Sequence, residues 1–146
     1  MAMNEHSIKV SIVTPDGVVF EYETATLVVL HTTGGEVGIM ANHVPLISAL
    51  EISEVKVVDE SESNNMTELI AVNGGFAEFS QNMLTIVADS AEKSGDIDVR
   101  RAESARKRAE EALKQAKDRQ DAREIQRNQA ALLRAINRIQ AATGQK

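Results

Sequence analysis

A break near residue 90 divides this chain into two parts that cannot share one folding grammar. Both prolines, Pro15 and Pro45, and all the aromatics, Phe20, Tyr22, Phe76 and Phe79, precede it, whereas the stretch between Gly95 and Gly144 holds neither glycine nor proline. A segment punctuated by those residues breaks into short elements, and one without them can run as uninterrupted helix. The expected fold is an N-terminal antiparallel β-sandwich of about ten short strands over residues 1–90, followed by a C-terminal two-helix antiparallel hairpin over residues 91–146. Charge divides at the same place: residues 1–90 carry 2 Lys/Arg against 13 Asp/Glu, and residues 91–146 carry 14 against 9. The formal net charge of −6 thus hides an acidic and a basic surface, which attract one another or serve separate partners.

The first half reads as strands throughout. Ile8, Val10 and Ile12 alternate with Lys9 and Ser11, the period of a half-buried strand, and Pro15-Asp16-Gly17 then supplies turn chemistry. Residues 18–22 return as the second arm of a hairpin. Further strands are expected over residues 24–32, 37–39, 46–50, 55–59, 66–72, 76–79 and 83–88, with Gly34-Gly35, Asn73-Gly74-Gly75 and Gln81-Asn82 between some of them. The polar run from Glu60 to Asn65 suits an exposed hairpin loop.

After Asp96 the period changes. Ala102, Ala105, Ala109, Ala112 or Leu113, and Ala116 recur at helical intervals, with Asp96 or Asp98 placed to cap the first turn. Residues 117–120 form a polar break. Ala122, Ile125, Gln129, Leu132, Ile136 and Ile139 then mark one face of a second helix. Alanines allow close approach but bury little area, so the hairpin should be marginal alone and need something to dock on.

Several function classes are excluded. With no cysteine there is no disulfide, thiolate nucleophile or cysteine metal site, and His6, His31 and His43 lack the spacing of metal ligands. Gly34-Gly35-Glu36-Val37-Gly38 lacks the Lys-Ser/Thr and following helix of a phosphate loop, and no catalytic triad motif is recognisable. The longest apolar run, residues 27–30, cannot cross a bilayer, so the protein is expected to be soluble and to meet a membrane only through a partner. Nucleic acid is a poor fit, because the basic half has no aromatic to stack on bases. The chain is expected to be non-catalytic and to require no cofactor or metal.

The arginines of the hairpin are more informative. Arg101 and Arg108 are seven apart and Arg134 and Arg138 four apart, so each pair shares a helix face, with Arg127 near the second. Folded side by side, the helices would gather four guanidiniums into an anion site. From spacing alone, solvated positions making weak ion pairs along each helix remain the plainer reading.

Thr14-Pro15-Asp16-Gly17, Gly35-Glu36-Val37-Gly38-Ile39, Asn42-His43-Val44-Pro45-Leu46 and Ala71-Val72-Asn73-Gly74-Gly75-Phe76 occur in that order. Ile97-Asp98-Val99-Arg100-Arg101-Ala102 and Leu132-Leu133-Arg134-Ala135-Ile136-Asn137-Arg138 follow in the hairpin. Together these segments resemble the family of epsilon subunits of bacterial F-type ATP synthases. Two departures are local: Asn42 stands where a glycine is common, and the loop at 60–65 looks longer than usual.

The resemblance implies a central-stalk subunit without an active site, seated on the gamma subunit and the c-ring at the cytoplasmic face of the bacterial cell membrane. It couples the rotor to the c-ring and so proton flow to ATP synthesis. The hairpin either folds down or extends along gamma towards the alpha and beta subunits to inhibit ATP hydrolysis. ATP is implied as a regulatory ligand of the down state. Carried over by position, Glu92, Ile97, Asp98 and Ala102 would surround adenine, while Arg101, Arg108, Arg134 and Arg138 would hold the phosphates. Glu36 and His43 match positions that face the c-ring, although a turn acid and a loop histidine fit them as well. A free-standing, non-catalytic ATP sensor of the same fold is the alternative.

Overall fold

The computed structural model describes residues 6–61 and 64–144. They form eight strands: β1 (Ile8–Thr14), β2 (Gly17–Ala25), β3 (Leu27–Thr32), β4 (Gly35–Ile39), β5 (Leu46–Ser61), β6 (Asn64–Ser80), β7 (Met83–Ala88) and β8 (Ala91–Lys93). A single 3-10 turn, Ser94–Asp96, leads into the helices α1 (Val99–Asp118) and α2 (Ala122–Thr143). The strands join in the order β2-β1-β7-β6-β5-β3-β4, with β8 pairing β6.

This continuous sheet folds into two layers because β5 and β6 change faces midway. Ile70 and Val72 of β6 point into the core, and beyond Gly74-Gly75 so do Ala77 and Phe79, which shifts the alternation by one residue. The same shift separates Leu50 from Val55 and Val57 on β5. Register stays in step through the bend, with Leu50 opposite Gly75 and Ile52 opposite Asn73. One pair of long strands therefore serves both layers.

The expected count of about ten strands is corrected to eight on this account. Residues 46–50 and 55–59 are one strand, as are 66–72 and 76–79. Asn73-Gly74-Gly75 makes a corner within a strand, with φ of 85° and 120° at the two glycines, instead of a turn between strands. Pairing is also not uniformly antiparallel: β1 runs parallel to β7, from Lys9 opposite Met83 to Val13 opposite Val87. The sheet continues past the compositional break through β8, whose backbone pairs with β6 without needing apolar side chains. In the loop expected at 60–65, Glu60 pairs with Asn65 and Ser61 with Asn64, while Glu62 and Ser63 lie outside the described residues. Asn42 has φ 68°, and asparagine is the residue that best replaces glycine in that left-handed region.

Asp59 is fully buried and accepts hydrogen bonds from the hydroxyls of Tyr22 and Thr24 and from the Ser61 backbone N–H. Burial alone would raise its pKa; these donors outweigh burial and lower it to about 2. Because the folded value is depressed, the stabilisation is fully present above the ordinary value of 3.8 and is lost as pH falls towards 2. Relative to Asp59→Asn, the protein should lose about 2 kcal/mol of unfolding free energy between pH 5 and pH 2. Urea titrations across that range check this, and parallel pH profiles for the two proteins would contradict it.

The hairpin is capped as its sequence suggests. Asp98 is the residue that caps α1, accepting from Arg101 N at 3.1 Å, while Asp96 sits in the 3-10 turn. Asp121 caps α2 through Glu124 N at 3.2 Å, and Gly144 ends it at φ 68°. Ala102, Ala109 and Ala116 are the buried residues of α1. On α2 the expected face is rotated: Ala122 and Gln129 are exposed, and Ala135, Asn137 and Ala141 are the buried residues. Small side chains there let the helix backbones approach, and Ala141 reaches Ala71 of β6 and Ile97.

Candidate functional site

Two clefts of about 360 Å³ and about 340 Å³ adjoin along the hairpin and share Arg138. The first lies where β8, the 3-10 turn and the start of α1 meet α2. It is lined by Glu92, Asp96, Ile97, Asp98, Arg101, Ala102 and Arg138. Arg108 and Arg134 line the second, among Ala105, Ala109, Ala112, Ala131 and Asn128. The structure thus brings Glu92, Ile97, Asp98, Arg101, Ala102, Arg108, Arg134 and Arg138 to one continuous surface. Arg127 is elsewhere, exposed and 3.8 Å from Glu124 on its own helix.

The local folding explains the placement. Pairing of Glu92 with Ala71 sets Glu92 on the sheet side of the first cleft. The Asp98 cap starts α1 there, so Arg101 and Ala102 fall in its first turn. Seven residues, close to two helical turns, carry Arg108 along the same face into the second cleft. Arg134 and Arg138 stand one turn apart on α2 and approach from the other side.

The electrostatics differ along the surface. Glu92 Oε1 lies 3.0 Å from Arg138 Nε, off the line of the N–H bond, so the pair is ionic without an aligned hydrogen bond. Among the described residues no carboxylate comes within 4.0 Å of a nitrogen of Arg101, Arg108 or Arg134. The second cleft is consequently a cationic groove floored by alanines, while the first combines three carboxylates with the apolar surface of Ile97 and Ala102. Unpaired guanidiniums converging from two helices suit a multiply charged oxyanion.

Glu36 and His43 lie away from these clefts. Glu36 is exposed on β4, 3.7 Å from His31 across the strand pair. His43 is half-buried in the loop after β4, with Nδ1 2.7 Å from the Val44 carbonyl and its ring edge-on to Phe79. The sequence offers Asp96 only as a helix cap and no site role for Ser90, Asn73 or Asn137; Asp96 lines the first cleft, and the other three are hydrogen-bonded to one another where α2 meets the sheet. A polar side chain one residue from Arg138 on a helix otherwise packed through alanines was the available signal for Asn137. Among the described residues no group of three or more His, Asp or Glu is placed to hold a metal ion, and no helix is long and apolar enough to cross a membrane.

Comparison with known proteins identifies the architecture. Residues 7–94 match the family model described as ATP synthase, Delta/Epsilon chain, beta-sandwich domain, and residues 96–143 match its long alpha-helix domain. The chain belongs to the ATP synthase delta/epsilon family. It is 54% identical over 138 residues to an ATP synthase epsilon chain of Pediococcus pentosaceus, covering 94% of this chain and 96% of that one. An epsilon chain of Lacticaseibacillus casei is 50% identical over 145 residues, with 98% and 99% covered. As an epsilon chain it is a non-catalytic subunit of the synthase complex. The fold is also that of a chain in the Euglena gracilis mitochondrial ATP synthase, with a TM-score of 0.76 at 19% identity, covering 98% of this chain and 84% of that one.

Proposed function

We propose that this epsilon chain is a rotor subunit with two jobs: its sandwich joins the gamma subunit to the c-ring, and its hairpin regulates ATP hydrolysis. The observation that carries the first is an apolar row on the outer face of the sheet. Val13, Val87, Phe76 and Ala49 stand opposite one another across β1, β7, β6 and β5, and Ile47 flanks them. Ile47 is 75% exposed and Phe76 44% exposed. Such a strip favours a partner surface, and a free-standing sensor would have no use for it. Gamma is the partner assigned to this row. The c-ring is assigned to the loop carrying His43 and the 70% exposed Val44, with Glu36 as a further contact.

The second job rests on the paired clefts. Their mixed and cationic ends suit a nucleotide, with adenine against Ile97 and Ala102 beside Glu92 and Asp98, and phosphates along Arg101, Arg108, Arg134 and Arg138. ATP bound there would fasten the down hairpin to the sheet as a regulatory ligand and would not be hydrolysed. The extended hairpin would reach alpha and beta and inhibit hydrolysis. The subunit would act at the cytoplasmic face of the bacterial cell membrane, held there by the complex.

Co-purification tests the assembly reading. Wild-type chain should be recovered with gamma and the c-ring, and Ile47→Glu should weaken that association by roughly a hundredfold, since a carboxylate would be buried in an apolar contact. A chain that binds ATP but never associates with gamma would leave the free-standing sensor as the correct reading.

A further inference from the structure

Where α2 meets β6, buried amides connect the helix to the sheet. Asn137 of α2 is 4% exposed, and its Nδ2 donates to the Val72 carbonyl at 3.2 Å and to Asn73 Oδ1 at 3.4 Å. Asn73, also 4% exposed, donates from its Nδ2 to Ser90 Oγ at 2.9 Å and from its backbone N–H to the Ser90 carbonyl at 2.9 Å. Ser90 immediately precedes β8, and Asn73 immediately precedes the glycine corner of β6.

We infer that the Ser90–Asn73–Asn137 relay is the latch that docks the hairpin on the sheet and fixes the rotation of α2 that places Arg138 against Glu92. The apolar part of the contact is small-residue packing, in which Ala141 meets Ala71 and Ile97, and it buries too little area to choose one register strongly; the partly exposed Arg138–Glu92 ion pair beside it is weakened by solvent. A buried polar group with matched partners penalises every other register, because leaving it unpaired costs more than the bond itself gains. Rotating α2 by one residue, about 100°, would replace Asn137 with Ile136 or Arg138 and leave the Asn73 oxygen without its donor.

The chemistry of the contact is specific to an amide. Two hydrogens on one nitrogen serve two acceptor oxygens, which a carboxylate would repel and an alkyl group could not satisfy. Opening the hairpin exposes both asparagines to water, so the latch can release without leaving a buried group unpaired. It thereby supplies a discrete docked state, as a switch element requires.

The inference rests on the hairpin moving as a unit, and it is tested without nucleotide so that failure of the nucleotide site cannot be mistaken for its failure. Hydrogen exchange is measured on the full chain for wild type, Asn137→Ala and Asn137→Asp. Urea unfolding is followed in parallel through the fluorescence of Tyr22, the sole tyrosine in a chain without tryptophan, which reports on the sandwich. Protection of the β6 and α2 amides around Val72 and Asn137 should fall roughly tenfold in Asn137→Ala and roughly a hundredfold in Asn137→Asp, with the Tyr22 transition unmoved. Unchanged protection in Asn137→Asp would overturn the latch. So would an equal shift of the Tyr22 transition, because the relay would then hold the sandwich instead of the hairpin.

Discussion

Gly75→Ala should remove at least about 3 kcal/mol of stability, a large fraction of what a domain of this size possesses. A Cβ at this position would lie 2.1 Å from the Val87 carbonyl oxygen and 2.8 Å from Ala88 Cα. Both obstacles are backbone of the neighbouring strand, so no side chain can move aside. The φ of 120° adds a penalty that every L-residue would feel. Gly74→Ala is the comparison: its nearest neighbour is the flexible Asp89 carboxylate at 3.0 Å, and its cost should be confined to about 1–2 kcal/mol for the left-handed backbone. Urea unfolding of both variants, followed at Tyr22, decides the matter. If Gly75→Ala falls within about 1 kcal/mol of wild type, the corner is not what lets β5 and β6 serve both layers.

MgATP should raise the melting temperature of the wild-type chain, and Arg134→Ala with Arg138→Ala should abolish the rise. A ligand at about a hundred times its Kd adds about 2.7 kcal/mol to the folded state. Each charge-assisted contact to phosphate is worth about 1.5–3 kcal/mol, so removing two should weaken binding at least about a hundredfold. Arg127→Ala should leave the effect intact, because Arg127 lies outside both clefts and pairs with Glu124. A titration showing the same saturable shift in the double variant would place the ligand elsewhere.

The sequence made the division of the chain legible because composition reports the backbone directly. Glycine and proline interrupt elements, and their absence after Gly95 required helices. The glycine corner was harder to read, since Asn73-Gly74-Gly75 has the same composition whether it ends a strand or bends one. Only the face on which Phe76, Ala77 and Phe79 lie distinguishes the two, and that depends on the opposite layer. The arginine faces were readable from spacing, whereas their shared cleft required the helices to fold together and so needed the resemblance. Asn137 escaped notice for a related reason. Its partners are a carbonyl and an amide 65 and 64 residues away in sequence, respectively, and no local pattern reveals such a contact. On α2 the isoleucines and leucine that mark the periodic face are half-buried, whereas the fully buried positions are Ala135, Asn137 and Ala141, small or polar residues that a hydrophobic pattern does not single out.

A nucleotide in the paired clefts is expected to hold the hairpin down on the sheet. The chain has no cysteine, so Glu21→Cys on β2 and Lys114→Cys on α1, both exposed, can carry a pair of labels without further change. Their distance distribution, measured in the complex with gamma, should narrow on adding MgATP to a single population matching the docked hairpin, with a longer population present when nucleotide is absent. Identical distributions with and without saturating MgATP would show that nucleotide does not hold the hairpin down.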